Sequence, residues 1–220
     1  MNKTIWLIIL CVLASLLTWL ATGYLGNDQI VNYLAFSGEN LLKGRVWTVI
    51  TGLFLHADPT HLIGNMVFFY IFGNTIEKEL GDKWVLIPFF VGGVASFLLS
   101  LLFYDPTVSM VGASAAIFTL TAIVMLLKPL QFSFYFLMPL GLVAIIYFSY
   151  NLLAAQMNIE GSVSYIGHII GFSIGVPFGI ASSKDWHKNL LITALLFMFY
   201  LLLIWIVLPA IGINIWVYLG

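Results

Sequence analysis

Val111-Gly112-Ala113-Ser114-Ala115-Ala116-Ile117-Phe118 opens an apolar segment that continues to Leu127, and sets one hydroxyl in a run of small residues. Such a stretch reads as a membrane helix with a polar side chain at its mouth, where a polar group marks chemistry. Alone it is a weak signal. Small residues also mark close helix packing, and a serine can bond its own helix backbone. Two further polar groups strengthen it: His56, His61 and Asn65 upstream, and His168 on a glycine-lined segment downstream.

Composition agrees with a membrane setting. The 220 residues are 62% hydrophobic and only 8% charged, where soluble domains carry about 25% charge, and mean hydropathy is +1.07. The chain therefore reads as an integral membrane protein, with residues 1–220 forming one compact bundle. A net charge of -1 and the absence of a basic patch exclude nucleic acid as a partner. The single cysteine, Cys11, lies inside the first apolar run and reads as packing. No His, Cys, Asp and Glu cluster has metal-ligand spacing, so neither a metal nor a cofactor is expected. The run after Met1-Asn2-Lys3 is too long for the apolar core of a signal peptide and reads as a retained helix.

Apolar runs predict seven helices, at about residues 4–22, 61–76, 84–103, 112–127, 132–155, 163–181 and 190–208. The implied fold class is an all-α polytopic membrane protein. The connection over residues 23–59 carries Tyr24, Tyr33, Phe36 and Trp47, a composition suited to the membrane interface. The cluster from Glu77 to Lys83 reads as a turn in water, as does the polar stretch Asn158-Ile159-Glu160-Gly161 before the sixth helix. With the N-terminus inside, Lys3, Lys78, Lys83, Lys128, Lys184 and Lys188 fall on the inner side and only Lys43 and Arg45 outside. That balance puts the C-terminus outside. It also puts His61, Ser114 and His168 within the first two turns of helices running inward, at one depth below the outer surface.

A serine hydroxyl needs a base, and histidine is matched to that task near neutral pH. Ser114 and His168 are the pair. Asp28, Glu39, Asp58, Asp105 and Glu160, the acids near that side, all lie in connections, so a dyad is expected rather than a triad. His61 and Asn65 are four residues apart, project from one helix face, and can each donate to a developing oxyanion. The backbone N–H groups at Ser114 add donors at a helix start. Gly167, Gly171, Gly175 and Gly179 form a small-residue ladder beside His168, which would let the fourth and sixth helices approach closely. His187, between Asp185 and Lys188, reads as a solvated loop residue.

In ordered motifs from Trp47 to Gly175 the chain resembles the rhomboid intramembrane serine proteases. The motifs are Trp47, His56-x4-His61-x3-Asn65, Phe72-Gly73-x3-Glu77-x3-Gly81, Gly112-Ala113-Ser114 and His168-x2-Gly171-x3-Gly175. The resemblance implies a six-helix catalytic core, about residues 1–182, plus a seventh C-terminal transmembrane helix at about 188–209. It implies a serine endopeptidase that cuts transmembrane protein substrates within the lipid bilayer, near the outer face. Ser114 would be the nucleophile and His168 the general base and acid. His61, Asn65 and the Ser114 N–H would form the oxyanion hole, and Phe118 would stack on the imidazole where tyrosine is usual. Glu77 would be structural, and His56 is assigned no chemistry. Two further departures stand out: Ala115 replaces the usual glycine after the serine, and the expected Trp-Arg pair reads Trp47-Thr48, with Arg45 nearby. The Gly-x-Ser-x-Gly elbow of soluble hydrolases does not fit, because its fifth position is Ala116 and no strand precedes it.

In the rhomboid reading, the fifth helix and the cap over residues 157–162 would move to admit a substrate helix. Phe132, Phe134, Tyr135, Phe136, Tyr147 and Phe148 would form the lateral gate, although such aromatics also face lipid. The short run before the first helix leads us to expect a prokaryotic cell membrane. Two other classes compete. An inactive relative that only binds transmembrane helices would lack the serine or the histidine, and both are present. A channel or transporter would carry charges at the bilayer centre or paired broken helices, and the sequence has neither.

Overall fold

The computed structural model describes residues 2–25, 29–157 and 164–210. Helix α1 (Lys3–Leu25) begins where a carboxylate meets its free amide donors. Glu77 Oε1 accepts from Lys3 N at 2.6 Å, and Oε2 accepts from Thr4 N at 2.9 Å and from Thr4 Oγ1 at 2.6 Å. In an apolar medium such first-turn groups must be met by protein. Cys11 is fully buried farther along the same helix, as packing requires.

The connection after α1 is not loose chain. It folds as α2 (Gln29–Leu34), α3 (Gly38–Leu42), α4 (Thr48–Thr51) and a tight turn over Gly52–Phe54. Contacts at Phe36 fix it to the segment before Ser114 and to Phe97 farther along the chain. Phe36 and Met110 exchange backbone hydrogen bonds at 3.1 and 2.7 Å, and the Phe36 ring stacks on Phe97 with centroids 4.9 Å apart. At its rim, Trp47 Nε1 donates to Tyr33 O at 3.1 Å and Arg45 lies 4.9 Å over the Tyr33 ring. Arg45 and Trp47 thus converge on one tyrosine although they are not adjacent in sequence.

Helix α5 (Pro59–Leu80) follows, capped by Asp58, whose side chain accepts from His61 N at 2.8 Å. The expected turn in water over Glu77 to Lys83 is corrected here: the helix runs through Leu80 and closes at Gly81, whose φ is +88°. Glu77 is drawn inward by the donors of α1. Glu79 instead reaches outward to Lys128 Nζ at 2.8 Å. Helix α6 (Lys83–Ser100) begins almost at once.

Helix α7 (Ser114–Leu127) is the centre of the bundle, with every residue from Ala115 to Leu126 buried. It packs against α5 and α6 and against the three later helices: α8 (Leu140–Gln156), α9 (Tyr165–Ser182) and α10 (Trp186–Leu202). An all-round apolar helix fits a central position. Three glycines let α9 approach it. A Cβ on Gly171 would overlap the Ala115 carbonyl, one on Gly175 the Thr119 carbonyl, and one on Gly179 would lie 2.8 Å from Leu126 Cδ1. Gly167, the fourth member of the expected ladder, does not face α7. Its neighbours are Ser164 Oγ, on its own cap, and Ser100 Oγ of α6.

The fifth helix departs most from expectation. Residues 132–139 form a small hairpin instead, with strand β1 (Phe132–Ser133) paired antiparallel to β2 (Met138–Pro139), and α8 starts only at Leu140. Pro139 has no amide to donate and restrains the residue before it from helical geometry; Leu137 sits at φ +56°. Phe132, Phe134 and Tyr135 therefore belong to a tip beside the C-terminal end of α7, opposite Ser114.

Helix α9 begins with Ser164 as cap, while residues 158–163, which include most of the expected cap and polar turn, lie outside the described residues. Helix α10 starts earlier than expected, so His187 stands in its first turn rather than in a loop. Beyond it the chain continues helically through Leu203–Val207 and Leu208–Ala210. Asn189 Nδ2 donates to Leu126 O at 2.7 Å, tying α10 to the end of α7. Among the described residues, four helices are long and apolar enough to cross a membrane: Lys3–Gly23, Lys83–Ser100, Tyr165–Ser182 and Trp186–Val207. The chain is a multi-pass, mostly helical membrane protein.

Candidate active site

Ser114 is the first residue of α7, and the turn before it dictates where its hydroxyl lies. Gly112 donates to Gly52 O at 2.9 Å and adopts φ +118°, a conformation that side chains strain to reach. Space forbids a side chain there too. A Cβ on Gly112 would lie 3.1 Å from His61 Nε2 and 3.8 Å from Ser114 Oγ. The His61 ring and the Ser114 hydroxyl thus both approach one bare backbone position. The free amides of the first helical turn face the same end.

His61 and Asn65 lie one turn apart near the start of α5. Asn65 Nδ2 donates to His61 O at 2.9 Å, which uses one of its two hydrogens and leaves the other for the site. His56 lies behind them. Its ring meets His61 edge-on at 5.2 Å, its Nδ1 is 3.1 Å from Ser15 Oγ, and its carbonyl accepts from Trp19 Nε1 at 2.9 Å. Burial, with the His61 ring beside it, pushes the His56 imidazole down to about 4, so it is uncharged near neutral pH. This residue braces the site from α1.

His168, in the first turn of α9, is only 4% exposed. One face of its ring lies on Phe118, with centroids 4.5 Å apart and planes at 15°. Phe118 in turn stacks on Tyr147 at 4.6 Å. The edge of the imidazole is held as well: Nδ1 lies 2.7 Å from Asn151 Oδ1, on α8. Sequence reasoning missed Asn151. The available signal was an amide in the middle of a mostly apolar helix, a residue type that seldom stands buried there without a task.

Two cavities meet at this point. One, of about 320 Å³, has Ser114, His61, Asn65 and His168 in its wall together with Phe68, Phe118 and Tyr147. The other, of about 270 Å³, shares Ser114, His61 and His168 and extends past Ser96, Ser100 and Ser109. A hydroxyl, an imidazole and hydrogen-bond donors thus adjoin two spaces, one walled in part by aromatic rings and one bordered by several serine hydroxyls. That arrangement can attack a carbonyl and stabilise the resulting oxyanion. Of the expected gate residues, Tyr147 lies here, with its ring 4.7 Å from Phe68. Phe136 also reaches Phe68, at 4.7 Å, and Phe148 stacks on Phe172 at 4.2 Å. Ala115, where glycine was usual, turns its carbonyl to Gly171 and lines the second cavity.

The family model described as Rhomboid domain matches residues 43–185. A stretch of 79 residues is 39% identical to "Rhomboid-like protein 11, chloroplastic" of Arabidopsis thaliana, covering 36% of this chain and 28% of that protein. Another of 94 residues is 26% identical to "Rhomboid protease GlpG" of Salmonella typhimurium, covering 43% of this chain and 34% of that one. The same values hold for the protein of that name in Salmonella enteritidis. The chain thus spans about a third of the length of the curated relatives it matches.

Proposed function

The chain belongs to the rhomboid family, and on that premise we propose that it is an intramembrane serine endopeptidase. Ser114 attacks the scissile carbonyl and His168 takes its proton, later returning it to the leaving amine. His61, Asn65 and the Ser114 N–H hold the oxyanion. The observation that carries the reading is the shared wall: Ser114, His168, His61 and Asn65, contributed by three helices, all border one cavity of about 320 Å³. Fixed donors at a site partly walled by Phe68, Phe118 and Tyr147 are worth more than they would be in open water.

The substrate in this reading is a transmembrane segment of another protein, entering between α5 and α8 past Phe68 and Tyr147. The second cavity, with its serine hydroxyls, would supply the water that releases the acyl enzyme. We place α1 and α5 to α9 in the catalytic core, about residues 1–182, and α10 outside it as a seventh span. The lysine-rich end, where Glu77 meets Lys3 and Glu79 meets Lys128, faces the cytoplasm of a cell membrane, which sets the site near the outer face.

The test is turnover. Purified protein in liposomes is mixed with a single-span substrate carrying helix-breaking residues. Wild type cuts it, while Ser114→Ala and His168→Ala do not. Intact substrate with folded wild type, still bound to the protein, would instead support a helix-binding relative without activity.

A further inference from the structure

Asn151 is a buried polar residue that the proposed reaction has not used. It is 1% exposed, inside the apolar helix α8, and its amide is committed on both sides. Nδ2 donates to Tyr147 O at 2.8 Å, one turn back on its own helix, and this fixes which end of the amide is which. The oxygen then faces His168 Nδ1 at 2.7 Å. An amide oxygen only accepts, so Nδ1 carries the proton and the lone pair stands on Nε2. With Phe118 stacked on the ring face, both the rotation and the tautomer of the imidazole are determined.

We propose that Asn151 is the positioning residue of this site, a neutral third member that holds His168 with its basic nitrogen free for Ser114. The proposal rests on the reading of Ser114 and His168 as nucleophile and base. Among the described residues no carboxylate hydrogen-bonds to His168, and the amide occupies the place where a triad carries its acid. A neutral partner suits the location. An ionised carboxylate between α8 and α9 would be a buried charge without compensation, whereas an amide orients the ring at no such cost. It also links the base to α8.

The experiment uses the full chain in liposomes, labelled with 15N-histidine, and reads kcat, KM and the ring nitrogen shifts, with His168→Ala assigning the His168 signals. In wild type His168 shows the neutral tautomer protonated on Nδ1. Asn151→Leu, close in volume but unable to accept, lowers kcat by about tenfold to a hundredfold, with KM within about twofold, and loses that tautomer. Asn151→Gln, which keeps a neutral amide able to accept, restores part of kcat and of the tautomer. Wild-type kcat in Asn151→Leu overturns the proposal, and so does a loss of kcat with the His168 tautomer unchanged. Should wild type itself leave the substrate intact, the protease reading fails, and the nitrogen shifts still decide whether Asn151 sets the tautomer.

Discussion

The imidazole of His168 lies on the ring of Phe118, centroids 4.5 Å apart and planes 15° from parallel. Contact of this kind adds about 0.5–1.5 kcal/mol beyond area burial. Phe118→Leu keeps most of the volume but loses the flat surface. We expect kcat to fall by about tenfold, while the unfolding midpoint in detergent moves by no more than a few degrees. Phe118→Tyr is expected to retain activity, because it keeps the flat ring that stacks on His168 at the cavity wall. Steady-state cleavage of a single-span substrate measures both.

Gly171 leaves no space for a methyl group against Ala115. Gly171→Val forces α9 off α7, and Thr119 Oγ1 loses its bond to Gly171 O at 2.8 Å. The expected cost is about 3 kcal/mol or more of stability, with activity abolished. Gly23→Ala is the control. A Cβ there meets nothing within 4 Å, and the substitution should hold or slightly raise the midpoint. Thermal unfolding of the two variants side by side reads the difference.

Asn65 keeps one N–H for the site after bonding its own helix. Asn65→Ala removes that donor from the oxyanion and should lower kcat by about a hundredfold to a thousandfold, leaving KM and the fold little changed. His61→Ala should lower kcat similarly and also loosen the turn at Gly112, against which its ring is packed. Kinetics with a single substrate, together with unfolding curves, separate the two effects.

Glu77 receives three hydrogen bonds from the first residues of α1. Glu77→Ala leaves those donors without partners and should cost about 2 kcal/mol, read as a drop of roughly 5 °C in the midpoint. The protein that remains folded should cleave at the wild-type rate, since Glu77 stands at the opposite end of α5 from His61.

The parts legible in the sequence were those with a one-dimensional signature. Apolar runs located the long helices, and the i, i+4 pair His61 and Asn65 was placed on one helix face, where the structure has it. Helix ends were less legible. Glu77 to Lys83 looked like water-facing turn because its charges conceal that Glu77 is satisfied by α1, a contact 73 residues away in sequence. The hairpin before α8 was hidden by its composition, since Phe132 to Phe136 is apolar enough to pass for helix and only Pro139 marks the boundary. Asn151 was legible only as an amide in a mostly apolar run; its partner depends on how α8 packs on α9, which no spacing in a single chain encodes.

The central claim is that the Ser114 hydroxyl is made nucleophilic by His168. A fluorophosphonate reacts with such an activated serine and not with an ordinary one, and needs no knowledge of the substrate. Intact protein in liposomes is treated with the reagent, digested and mapped by mass spectrometry. We expect one phosphonyl adduct, on Ser114, absent from folded His168→Ala protein. Unlabelled Ser114 in folded wild type, or labelling that persists at the same rate without His168, would contradict the account.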